Sequence, residues 1–177
     1  ALEAQTYPNR QIILVDNGST DDSVPFVRQA FPMVSIVETG QNLGYAGGNN
    51  VGLSRVHTPF TLVINPDVTL PADWLVRMMR IVQADPTIGI AGCKLLYPDG
   101  VTVQHLGGFL QPPLAHAADW RNVPMENRPK TAVYDTDYVI GAAFLVRREL
   151  IEQIGQFDAD YFLYYEDTDL CWRARRA

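Results

Sequence analysis

The sequence lacks any run of the eighteen or so consecutive apolar residues that a membrane-spanning helix needs, and its first residues show no basic-then-apolar signal pattern. Cysteine is nearly absent. Cys93 and Cys171 lie far apart without C-x-x-C spacing, which speaks against a zinc site or a disulfide framework and fits a reducing, cytoplasmic setting. Basic charge is also short: 14 Lys and Arg against 20 Asp and Glu leave a formal charge of −6. Nucleic-acid backbones and anionic membrane surfaces reward clustered cations, so neither is expected as the main partner, and phosphate would be held locally through a metal ion. The three histidines, His57, His105 and His116, show no mutual metal-ligand spacing and are expected to be ordinary surface or loop residues. Fixed-period repeats and low-complexity tracts are missing too, which sets aside solenoids and linkers.

What is present is an ordinary globular composition, 47% hydrophobic and 19% charged in 177 residues, enough for one domain with one core. The branched run Gln11–Val15 stops at Asp16-Asn17-Gly18-Ser19-Thr20, a strand entering a polar loop. Ser19 or Thr20 is placed to cap a helix carrying Asp21 and Asp22 in its first turn and Val24, Val27, Ala30 and Phe31 at helical spacing. A strand at Val34–Val37, a glycine-rich loop from Gly40 to Gly48, a helix near Asn49–Val56 and a strand at Phe60–Ile64 follow, a β-α-β-α-β order that implies a parallel sheet. A helix over Ala72–Gln83 turns Trp74 or Leu75, Met78, Met79 and Val82 inward, and Ile88–Leu96 is strand-like. Residues 98–131 are rich in proline and glycine and read as short hairpins and a mobile loop over a site. Regularity returns with a strand at Ala142–Val146, a short helix closed by Gly155 and a helix starting near Glu166.

In open α/β sheets ligands collect at the carboxyl ends of strands. Two such ends carry an acid, Asp16 and Asp67, and should face one crevice. A departing diphosphate gathers negative charge, and Mg²⁺ or Mn²⁺ needs only one or two protein carboxylates to stabilise it. Asp67 suits that task, or is simply an exposed turn acid after Asn65-Pro66. The segment Asn42–Gly52, N-L-G-Y-A-G-G-N-N-V-G, lets backbone approach a ligand, though a plain turn before a helix has the same composition; it is no P-loop, because Gly-Lys-Ser/Thr is absent. In Y-F-L-Y-Y-E-D-T-D-L-C-W-R the aromatics read as core more readily than as a sugar platform, and acids in a first turn suit the helix dipole. An ionised Asp there can also take a proton from an acceptor hydroxyl.

Taken in order, V-D-N-G-S-T-D, N-L-G-Y-A-G-G-N-N, L-V-I-N-P-D, I-G-A-A-F-L-V-R-R and Y-Y-E-D-T-D-L-C-W-R resemble the family 2 glycosyltransferases, most closely the rhamnosyltransferase-like branch. That resemblance covers nearly the whole chain. It implies the α/β GT-A fold, with a mostly parallel central sheet flanked by helices. A nucleotide-sugar-binding half over residues 1–97 and an acceptor-binding half over 98–177 would form a single catalytic domain. It further implies inverting, metal-dependent transfer of a sugar, rhamnose among the candidates, from a dTDP- or UDP-sugar to a saccharide or lipid-linked acceptor in cell-surface polysaccharide synthesis. Asp16, Asn42, Gly44, Asn49, Asn50, Asn65 and Asp67 would contact the donor and Asp67 the Mg²⁺ or Mn²⁺. Gly141, Ala142 and Glu166 would adjoin the acceptor, and Asp167 would be the catalytic base.

Two residues and both ends of the chain depart from the family pattern. Asn65 stands where the family's Asp-x-Asp motif has its first acid, and Asn49 stands where many relatives carry arginine. The phrase Ala4-Gln5-Thr6-Tyr7-Pro8 matches the end of a family helix, so the chain is expected to open inside that helix, with the first central strand missing, and to stop before a segment that in relatives often leads to a membrane-associated tail. The rival readings are a nucleotide-sugar-binding module without turnover and a nucleotidyltransferase.

Overall fold

The computed structural model describes residues 1–111, 116–119 and 132–177. Its elements alternate in the first half: β1 (Ile13–Asp16), α1 (Ser23–Ala30), β2 (Ser35–Glu38), α2 (Gly44–Leu53), β3 (Phe60–Ile64) and α3 (Trp74–Ala84). Then come β4 (Ile90–Gly92), β5 (Leu95–Leu96), β6 (Val103–His105), β7 (Gly108–Gln111), β8 (His116–Asp119), β9 (Ala143–Arg147), α4 (Arg148–Ile154) and α5 (Glu166–Arg175). The architecture is mixed α/β, as expected.

Strand pairing is more varied than an all-parallel sheet. β1 and β2 are parallel, whereas β3 takes β9 as an antiparallel neighbour and β9 also pairs β4, giving the order β3-β9-β4. Among the described residues no ladder joins β1 to β3. β9 lies centrally because it is apolar on both faces: Ala143, Phe144, Leu145 and Val146 are each at most 2% exposed. Phe144 and Val146 belong to a core with Ala46, Val63, Leu150, Phe157 and Leu170, while Leu145 points to the opposite side among Leu75, Met78, Met79 and Val82 of α3. Helices therefore cover both faces of β9, so the two proposed halves of the chain share its core.

Several local expectations are corrected. The helix foreseen from Asn49 begins at Gly44, inside the segment read as a loop. Its glycines are packed against neighbours, a methyl at Gly48 meeting the Asn17 amide at 3.1 Å, so tertiary contact outweighs weak helix propensity. Helix α1 starts after Asp21 and Asp22; Ser23 N–H donates to Asp21 at 3.0 Å, and neither Ser19 nor Thr20 caps it. Residues 1–8 are irregular, with a turn at Glu3 and Ala4, rather than helix. There Gln5, buried, accepts from the Leu75 amide at 2.9 Å and donates to the Pro71 carbonyl at 2.7 Å, satisfying the start of α3. The strand-like stretch 88–96 divides into β4 and β5. β5–β6 and β7–β8 are the expected short hairpins; the expectation of a mobile loop falls largely on residues 112–115 and 120–131, outside the described residues. His105 is no surface residue. It is 2% exposed, with Nδ1 against the Asp119 carboxylate.

Both thiols are free, and burial pushes Cys171 up to about 12 and raises Cys93, so neither is a ready nucleophile. Among the described residues no helix is long and apolar enough to cross a membrane.

Candidate functional site

The site is assembled from loop ends that hydrogen bonds tie to one another. Asp16 ends β1, is buried, and accepts the Ser19 amide on both carboxylate oxygens at 3.3 Å. Its neighbour Asn17 reaches the glycine segment, donating to the Gly44 carbonyl at 2.9 Å and to Asn42 Oδ1 at 3.2 Å while accepting from Leu43 N–H at 3.0 Å. Asn42 Oδ1 also accepts from Gly44 N–H at 2.9 Å. Sequence reasoning missed Asn17, although its place beside a strand-end acid was a usable signal.

Gly44 sits at φ +72, with the Phe162 carbonyl where a Cβ would be; the next amide, Tyr45 N–H, donates to that carbonyl at 2.8 Å. Asn49 donates to the Tyr45 carbonyl at 2.9 Å within α2. Asn50 donates to the Phe157 carbonyl at 2.8 Å and accepts from Phe157 N–H at 3.0 Å. Its carboxamide thus holds the segment that precedes α5 on α2 and is already occupied on both atoms.

On the other side, Asn65 follows β3 and its N–H donates to the Ala142 carbonyl at 2.9 Å, since Ile64 pairs Ala143 in the ladder. Asp67 is exposed and its carboxylate has no partner among the described residues. Gly141, one residue before Ala142, donates its N–H to Asp167 Oδ2 at 2.7 Å. Asp167 Oδ1 accepts from Thr168 N–H at 2.6 Å. The β3 end, the β9 start, α2 and the α5 N-terminus are therefore contiguous.

The three acids in the first turn of α5 meet different fates. Asp169 is paired with Arg173 at 2.8 Å. Glu166 is 5% exposed and its Oε2 has no hydrogen-bond partner; burial above all, with nearby Asp167, raises its pKa. Only Asp167 is both partly accessible and fixed by backbone donors at the β9 start. The raised Glu166 pKa means the fold favours its protonated form, a contribution fully present below the unfolded value and lost as pH rises through the folded one. Glu166→Gln should therefore raise the melting temperature at pH 7 to 8, with the gain shrinking toward pH 4; an unchanged difference across that range in scanning calorimetry would contradict this.

The aromatic run before α5 is not core, contrary to the sequence expectation. Phe162, Leu163, Tyr164 and Tyr165 are all more than half exposed, and Tyr164 and Tyr165 have φ of 73 and 70. Consecutive left-handed non-glycine residues cost on the order of 1 kcal/mol each and persist only where surroundings impose them.

Among the described residues no three His, Cys, Asp or Glu gather as a metal cage. The unpartnered Asp67 carboxylate, with the Asn65 amide oxygen two residues away, is a hard-oxygen pair of the kind that holds Mg²⁺ or Mn²⁺ when phosphate and water complete the shell.

Solved structures share this fold over part of their length. A mannosyltransferase from Pyrobaculum calidifontis, in complex with GDP-Man and Mn²⁺, matches with a TM-score of 0.70 and 22% identity over 96% of this chain and 44% of that one. TarS 1–349 of S. aureus with UDP matches at 0.70 and 17% identity over 98% of this chain and 48% of its own. These likenesses establish the GT-A fold. The family model described as Glycosyl transferase family 2 matches residues 1–155, and the chain belongs to that family. Among curated relatives, the N-acetylglucosaminyl-diphospho-decaprenol L-rhamnosyltransferase of Mycobacterium tuberculosis is 27% identical over all of this chain and 64% of its own length. The low-salt glycan biosynthesis hexosyltransferase Agl10 of Haloferax volcanii is 25% identical over 94% of this chain and 53% of its own. The chain spans about half to two-thirds of the length of these relatives, and its likeness to the rhamnosyltransferase supports the rhamnosyltransferase-like branch.

Proposed function

We propose that this chain is the catalytic core of an inverting glycosyltransferase. It moves a hexose, rhamnose foremost, from a dTDP- or UDP-sugar to a hydroxyl of a saccharide or lipid-linked acceptor, on the cytoplasmic side, for surface polysaccharide synthesis. The observation that carries this reading is Asp167, held by Gly141 N–H at 2.7 Å, one residue from the Ala142 carbonyl that receives Asn65 N–H beside Asp67. A base and a diphosphate site are thus joined through one turn of backbone.

In the proposed reaction the acceptor oxygen attacks the anomeric carbon, the bond to diphosphate breaks with its electron pair leaving on phosphate oxygen, and the acceptor proton passes to Asp167. Configuration at the anomeric carbon inverts in this single displacement. Asp16 binds the base of the donor, and Asn42, Gly44 and Asn49 line the nucleotide. Asp67, with Asn65, holds Mg²⁺ or Mn²⁺, which when bound supplies positive charge to the leaving diphosphate. Gly141 and Ala142 border the sugars; Glu166, being buried, supports the acceptor side from within, and Asn50 acts as the clasp described above. Residues 1–97 form the donor half and 98–177 the acceptor half, around a common β9.

The test is a thermal-shift screen of UDP, dTDP and GDP and their sugar conjugates with and without Mn²⁺. A ligand at about 100 times its Kd adds about 2.7 kcal/mol, a rise of roughly 5–10 °C for a chain of this size. One nucleotide should give that rise with Mn²⁺ present, and Asp67→Asn should remove the metal-dependent part. Equal shifts for wild type and Asp67→Asn would displace the metal from Asp67. Donor binding with neither transfer nor donor hydrolysis would point instead to a binding module.

A further inference from the structure

Tyr45 lies in the glycine segment on the nucleotide side, yet its hydroxyl is spent on the opposite side of the site. It donates to the Gly141 carbonyl. Gly141 in turn donates its own N–H to Asp167 Oδ2 at 2.7 Å. The residue is fixed at three further points: its N–H bonds the Phe162 carbonyl at 2.8 Å, its carbonyl accepts from Asn49, and its ring meets Phe157 edge-on at 5.8 Å between centroids and 84° between planes. The contact requires glycine at 141, since a methyl there would approach the Tyr45 hydroxyl at 2.6 Å and the ring carbon that bears it at 2.8 Å. Burial, reinforced by the charges of Asp167 and Glu166, raises the phenol pKa well beyond the usual range, so the hydroxyl remains a donor at every working pH.

We propose that Tyr45 is a positioning residue for the base: by gripping the Gly141 carbonyl it anchors the 141–142 peptide and so the place of Gly141, whose N–H holds the Asp167 carboxylate toward the acceptor hydroxyl. The inference rests on Asp167 being that base. Its physical content is that a carboxylate must sit within hydrogen-bond reach of the proton it takes, and small misplacements of a catalytic group cost rate far more than binding. Removing the hydroxyl leaves the ring packing and the Tyr45 backbone bonds in place. The loss should therefore fall on kcat and spare the donor KM.

The experiment measures steady-state transfer, or nucleotide release with water as acceptor, for wild type, Tyr45→Phe, Asp167→Asn and the double variant, with melting temperatures for each. Tyr45→Phe is expected to lower kcat about tenfold with donor KM within about twofold. In the Asp167→Asn background it should cause no further loss, because two groups acting through one contact are not additive. A kcat within twofold of wild type, or an equal additional loss in the Asp167→Asn background, would overturn the positioning role. Should Tyr45→Phe not fold, Gly141→Ala displaces the same hydroxyl and is read by the same cycle. Full transfer by Asp167→Asn itself would instead remove the base assignment on which the inference stands.

Discussion

Asp167→Asn is expected to retain donor binding and lose transfer by about 10³-fold, in line with the 10²–10⁴-fold that a positioned general base contributes. The substitution keeps shape and keeps an oxygen for the Gly141 amide, so the site should remain assembled; what disappears is the ability to hold a proton. Calorimetric titration with the nucleotide identified by thermal shift, alongside a nucleotide-release assay, separates the two. Asp169→Asn is the informative companion: that carboxylate is engaged by Arg173 on its own helix, and its loss should cost little rate. If Asp169→Asn were the inactive variant and Asp167→Asn the active one, the assignment of the base would move by two residues.

Gly44→Ala should be the most damaging small substitution for the fold. The position is left-handed, which costs an alanine about 1–2 kcal/mol, and the new methyl would overlap the Phe162 carbonyl oxygen, a backbone atom that cannot rotate away. Relief requires parting Tyr45 N–H from that carbonyl and loosening the contact of α2 with the segment before α5. Together these place the cost at about 3 kcal/mol or more, a drop in melting temperature of roughly 6–12 °C. A loss under 2 °C would mean that the Phe162 carbonyl yields easily. Gly40→Ala is the contrast, since that glycine is also left-handed, at φ +76, but a methyl there meets nothing within 4 Å.

Much of the candidate site's layout was legible in the sequence because its parts are punctuation. Acids directly after apolar strands, a glycine run and an acidic first turn are local signals, and the structure brings Asn65, Gly141, Ala142 and Asp167 together beside the first turn of α2. The rest depended on long-range contacts. The strand at β9 was foreseen, but a fully apolar strand carries no periodicity that fixes its neighbours, so its antiparallel place between β3 and β4 could not be read. Glycine content argued for a loop where α2 begins, because propensity cannot register that Asn17 and Phe162 pack against the bare backbone. The exposure of Phe162–Tyr165 and the burial of His105 against Asp119 reverse what residue type alone suggests.

Helix α2 grips the 157–162 segment at both ends, through Asn50 on Phe157 and Tyr45 on Phe162. Under the roles proposed here, any swing of α2 that opens the nucleotide side must drag that segment along, and Asp167, five residues beyond Phe162, falls out of line in the same stroke. Under those roles, this double grip would gear donor occupancy and base alignment together. An activated sugar half-seated in the site would then meet a disengaged base, and its loss to water before the acceptor arrives would be slowed.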